Sequence, residues 1–103
     1  MSSCIVDFGQ LGGRAYAGRP NGQAAYEYFH IDKMMSECEI VSVKFPDDTK
    51  TLTSSYFLGC FGKTIIEMGS EEAFRKKFKM ENPTKLNGII SKCIKTALIA
   101  TSY

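Results

Sequence analysis

The side chains that could do chemistry in this chain are few and scattered. His30 is the single histidine among 103 residues. With no second histidine and no evident Cys or Asp partner, neither a metal set nor a nucleophilic triad can be built around it. It reads as a surface residue of a helix. No carboxylates pair on one helix face, so general acid–base machinery has no residues to name. The chain therefore reads as non-enzymatic, with no catalytic residue, no metal site and no cofactor.

Two small groups remain. Ser54 and Ser55 stand where a polar loop meets a helix. Arg14 and Arg19 lie in the glycine-rich run GQLGGRAYAGRPNG, from Gly9 to Gly22. Arginines beside a helix N-terminus can hold an anion, because free N–H groups and the helix dipole favour negative charge there. The run matches neither GxGxxG nor a lysine-ended phosphate loop. A turn with two solvated arginines is the preferred reading, and a small anionic ligand or nucleotide is the alternative.

Four cysteines, Cys4, Cys38, Cys60 and Cys93, are far apart and form no CxxC pair. A disulfide framework belongs to smaller secreted domains, and zinc sites need closer ligands. Cys60 and Cys93 fall at apolar helix positions and read as small buried hydrophobes in a reducing compartment.

The elements around these residues follow from patterning. Cys4 to Phe8 is a short β-rich run ended by Gly9. Ala15-Tyr16-Ala17 could be a brief extended piece, a hairpin partner for that strand. A helix starts at Pro20 or Asn21, with Ala24, Tyr28, Ile31 and Met35 on one stripe, widened by Ala25 and Phe29. Glu39 to Phe45 is the clearest strand; its adjacent apolar residues suggest a central strand covered on both faces. Pro46, Asp47 and Asp48 stop it.

Thr53, Ser54 or Ser55 caps the next helix. Phe57, Phe61, Ile65 and Met68 form its apolar stripe. Ser55, Gly59, Gly62 and Ile66 form a second row with a small start. Two interior helix glycines cost about 1 kcal/mol each relative to alanine, so close backbone packing should offset them. Packing on the sheet is preferred over packing on a partner. Gly69 ends this helix, and Ser70 caps a short one. The basic run Arg75 to Lys79 leads into a half-exposed last strand, whose lysines suit a sheet edge. Asn82-Pro83 opens a final amphipathic helix through Leu98, and Thr101 to Tyr103 reads as a frayed end.

Composition adds bounds. The length fits one domain, 1–103, and 44% apolar residues fit a globular core. A net charge of +2 argues against a nucleic-acid surface. No stretch is long and apolar enough to span a bilayer, and MSSCIVDF lacks the features of a signal peptide. The expectation is a soluble cytoplasmic protein without a membrane or nucleic-acid partner. The alternation of strands and helices implies an α/β sandwich with a small, mostly parallel or mixed sheet of about four strands and three main helices.

GGRAYAGRPNG, the strand ending Lys44-Phe45, and TSSYFLGCFGKTIIEMGSEEAFRKKFKMEN together resemble the small STAS-like domains of unknown function found in bacteria and their mobile elements. The resemblance covers roughly Ile5 to Leu98. Lys44, Gly59 and Cys60 depart from it, standing where that family tends to carry acids. It implies a single STAS-like domain, distantly similar to anti-anti-sigma partner-switch proteins. Those expose a serine at a helix start, which a kinase partner with a histidine-kinase-like ATPase fold phosphorylates. The matching residues here are Ser54 and Ser55. The expected function is thus a regulatory protein-binding module using the 47–62 surface: Asp47, Asp48, Ser54, Ser55, Gly59 and Gly62. A mobile-element inhibitor that binds a host defence or regulatory complex is an alternative. The partner is a protein, with a second copy of the chain left open.

Overall fold

The computed structural model describes residues 2–100, and the side chain of Ala100 is not described. The expected frayed end at Thr101 to Tyr103 lies outside these residues. The chain forms β1 (Ser3–Asp7), β2 (Ala15–Tyr16), α1 (Arg19–Tyr28), α2 (Ile31–Glu37), β3 (Ile40–Lys44), β4 (Thr51–Leu52), α3 (Ser54–Met68), α4 (Glu71–Lys77), β5 (Phe78–Glu81) and α5 (Asn87–Ala100). Short 3-10 turns follow β1 and precede α5. The α/β class is as expected. The strands differ: β1, β3 and β5 form one parallel sheet in that order, and β2 and β4 form a separate parallel pair. The brief piece at Ala15-Tyr16 is therefore no hairpin partner of β1. Of the five α-helices, α1, α3 and α5 are the three expected main ones, α4 is the short helix expected after Ser70, and α2 is the addition.

Strand order that steps in one direction, with right-handed crossovers, places the connecting helices on the same face. Burial agrees with that geometry. Cys4, Val41 and Phe78 form one registered row, and Val6, Val43 and Met80 the next. Val6, Val41, Val43 and Phe78 are fully buried. The alternating rows, Ile5-Ser42-Lys79 and Asp7-Lys44-Glu81, are exposed or half-exposed. The expectation that β3 is covered on both faces is corrected: Val41 and Val43 are buried on one face, while Ile40, Ser42 and Lys44 take the other and are only half-buried.

Phe8 centres the core. Its ring stacks on Phe45 at 4.4 Å and meets Tyr16, Phe29, Tyr56 and Phe61 edge-on. A second aromatic set joins Phe61 to Phe74 and Phe78. Helix α3 occupies the middle of the helical layer, between α1 and α5.

The first long helix breaks where sequence spacing predicts continuity. His30 adopts the left-handed conformation at φ 54° and separates α1 from α2. The break lets Phe29 and Ile31, two residues apart, both reach the core. The buried stripe of α1 also shifts by one position. Gly22, Ala25 and Phe29 face inward, whereas Ala24 and Tyr28 are exposed. Gly22 sets this rotation, because only a residue without a side chain fits where α1 touches α3. His30 itself is exposed, as expected for a surface residue.

The structure also joins Cys4 to Cys38 in a disulfide, a pairing that sequence reasoning did not expect. It links β1 to the turn between α2 and β3. Ser2 reinforces the same junction, its carbonyl oxygen accepting from Glu39 N–H at 3.0 Å. Cys60 and Cys93 are free and buried, as expected. Burial raises both thiols above their ordinary value, which disfavours the reactive thiolate.

Candidate protein-docking site

Thr53 organises the start of α3. Its extended backbone makes it the N-cap, and its Oγ1 accepts from Tyr56 N–H at 3.2 Å. The same oxygen accepts from Gly18 N–H at 3.3 Å. Gly18 is the residue before α1, at φ 89°, so one hydroxyl ties two helix starts together. Sequence left the cap open among Thr53, Ser54 and Ser55. The structure assigns it to Thr53 and puts both serines in the first turn, half-buried. Ser55 Oγ lies 3.3 Å from Thr53 Oγ1, and the Ser54 carbonyl faces Cys93 Sγ at 3.9 Å.

The two glycines of α3 have different surroundings. A Cβ on Gly59 would come within 2.5 Å of the Arg19 carbonyl oxygen and 3.2 Å of Gln23 N. A Cβ on Gly22 would collide with the Tyr56 carbonyl oxygen. Gly22 and Gly59 thus bring α1 and α3 together backbone against backbone. The expectation that Gly59 serves the sheet or a partner is corrected: it serves α1. Gly62 has no such neighbour. A Cβ there would meet only Leu58 side-chain atoms at 3.8 and 3.9 Å, an ordinary contact distance.

Gly62 lies in a surface groove of about 360 Å³, lined by Arg19, Leu58, Gly62, Lys63, Ile66, Thr96 and Ala97. The groove runs between α3 and α5. Its surface is largely apolar, with Ile66 at 44% exposure. Its two charged residues, Arg19 and Lys63, are both cationic. Ser54 lies four residues before Leu58, hence on the same side of the helix.

The other candidates sit elsewhere. Arg14 pairs with Asp48, Nε to Oδ1 at 2.6 Å, and both groups are solvent-facing. The hydrogen bond with Arg14 holds the Asp48 carboxyl below its ordinary value, and Asp48 raises Arg14 in turn. Asp47 and Arg14 line a broad cleft at the carboxyl ends of the strands, with Asp7, Lys44 and Glu81. Arg14 and Arg19 therefore do not converge on one anion: Arg14 is matched by a carboxylate, and Arg19 borders the α3 groove. Asp7, expected at an edge and not catalytic, lies on edge strand β1 and accepts from Gly9 N–H at 2.9 Å. The 47–62 surface is thus divided into a strand-end loop, a capped helix start, a glycine held against α1 and a buried glycine at the floor of a groove. The groove itself was missed by sequence reasoning, although the small row ending in Ile66 pointed toward it. Among the described residues, no group of three or more His, Cys, Asp or Glu side chains could hold a metal ion. No helix among them is long and apolar enough to cross a membrane.

Compared with known protein families, curated proteins and solved structures, the chain matches none.

Proposed function

We propose that this protein is a non-catalytic regulatory module that binds a protein partner through the groove between α3 and α5. The observation that carries the proposal is Gly62. A glycine inside a helix costs about 1 kcal/mol relative to alanine, and for Gly59 the contact with α1 explains that cost. No backbone contact within the domain requires a glycine at Gly62, which is buried at the floor of an apolar groove with only Leu58 side-chain atoms where a Cβ would stand. Close approach of a partner would use that space.

Ser54 and Ser55 are the proposed points of control. A phosphate carries about −2 charge and three strong acceptors. In the first turn of α3 it would suit the helix dipole and place negative charge at the head of the groove. This is the type of switch implied by the resemblance to STAS-like domains, with a histidine-kinase-like ATPase as the kind of partner. The nucleotide-binding alternative loses support, because Arg14 and Arg19 are separated and Arg14 is paired.

The test is affinity capture from native extract with wild-type protein, Gly62→Leu and Ser54→Asp, followed by mass spectrometry. A partner retained by wild type and lost with folded Gly62→Leu is the expected result. Equal capture by both would remove the groove from the function, and equal capture by Ser54→Asp would remove the serine switch.

A further inference from the structure

We infer that the occupant of the α3–α5 groove is an acidic amphipathic helix of a partner protein. The inference rests on the reading of the groove as a docking site and names what it takes. Three observations converge on it.

The first is shape. The groove lies between two helices of 15 and 14 residues. A trough between helices receives another helix side-on, with apolar residues at i, i+3, i+4 and i+7 as anchors. Gly62 and Ala97 are small and buried at the floor of the trough, and half-buried Leu58 and exposed Ile66 stand beside them. An approaching helix can therefore bring its own side chains close to the α3 backbone.

The second is charge. Arg19 and Lys63 are the charged residues of the lining, and no carboxylate is among them. On α5, Lys92 and Lys95 are exposed. Lys92 lies four residues before Thr96, so it continues the same border. Glu67, exposed and four residues after Lys63, is the one carboxylate on α3 that borders the groove by the same spacing, and it stands outside the lining against the cations Arg19, Lys63 and Lys92. An occupant with apolar anchors and flanking carboxylates matches this border; one with flanking lysines is repelled by it.

The third is what the border excludes. A second copy of the chain docked groove to groove would bring Arg19 and Lys63 of each copy together. Like charges so placed oppose association, which selects a foreign segment over self-pairing at this face.

The probes are two synthetic peptides of roughly 15 residues with one leucine pattern at helical spacing, flanked either by glutamates or by lysines. Binding to the full chain is read by fluorescence anisotropy. The glutamate peptide should bind about tenfold more tightly at low salt, with the gap narrowing as salt rises. The double variant Arg19→Glu, Lys63→Glu should invert the preference, and Gly62→Leu should lose both peptides. Equal binding of the two peptides, or a preference unmoved by the charge reversal, would overturn the inference. So would light scattering that shows a dimer dissolved by Gly62→Leu, since a second copy would then be the occupant. If neither peptide binds while Gly62→Leu still abolishes capture from extract, the acidic helix is wrong and the docking groove stands. If that capture does not depend on Gly62, the groove reading itself fails.

Discussion

Gly59 lies so close to Arg19 that a single added methyl group would come within 2.5 Å of the Arg19 carbonyl oxygen. Both partners at that contact are helix backbone, which cannot yield as a flexible side chain would. Gly62, one turn further along α3, meets no such limit. Gly59→Ala should therefore destabilise the domain by about 1–2 kcal/mol, as overpacking exceeds the gain in helix propensity. Gly62→Ala should be neutral or stabilising by up to about 1 kcal/mol. Urea denaturation midpoints of the two variants test this pair, and a matching loss in both would contradict it.

Thr53 serves both α3 and the residue before α1 through one hydroxyl. Thr53→Ala should cost about 1–2 kcal/mol, toward the upper part of the range for a lost N-cap. Thr53→Ser should recover most of it, because the accepting oxygen is kept. Thermal unfolding of both variants measures the difference; an alanine variant as stable as wild type would mean that neighbouring groups cap the helix.

The Cys4–Cys38 disulfide closes a separation of 34 residues. A loop of that size predicts a loss of about 3–4 kcal/mol on reduction, by the chain-entropy estimate. Calorimetry of oxidised and reduced protein should show the reduced form melting lower. A Cys4→Ser variant should melt near the reduced form and ignore reductant. Coincident melting of oxidised and reduced wild type would contradict the prediction.

Alkali should destabilise the fold through buried acidic groups. Burial raises Tyr56 above its ordinary 10.0 and Cys60 above its ordinary 9.0. Between the unfolded and folded values the unfolded chain has already lost its proton, so stability falls as pH rises. The stabilisation is complete below about pH 9 and declines above it. Tyr56→Phe should flatten the decline above pH 10 while keeping the ring. An unchanged slope in urea melts across that range would assign the alkaline loss to other groups.

How much of this was legible depended on the range of the interaction. The final helix was readable because Ile90, Cys93, Ile94 and Ala97, all buried, follow one local period, although it starts at Asn87, after a 3-10 turn over Thr84–Leu86, and not at the expected Asn82-Pro83. The last edge strand and the Gly69 cap were legible for similar local reasons. The first long helix was readable in existence but wrong in rotation, because the Gly22 contact with α3 overrides the local pattern. The cap of α3 could be narrowed to three neighbours, and choosing Thr53 took the Gly18 N–H that folding brings to it.

By itself the sequence determined the alternation of strands and helices and the apolar faces of α3 and α5. These depend on spacing along the chain. Tertiary structure decided which strands pair, that β3 shows one face to solvent, that Cys4 meets Cys38, and that Arg14 takes Asp48 while Arg19 borders a groove. Those outcomes join residues far apart in sequence, and no local period encodes them. The two glycines of α3 show the division most directly: identical residues three positions apart, one held against the backbone of α1 and the other, although buried, with only a Leu58 side chain where a Cβ would stand.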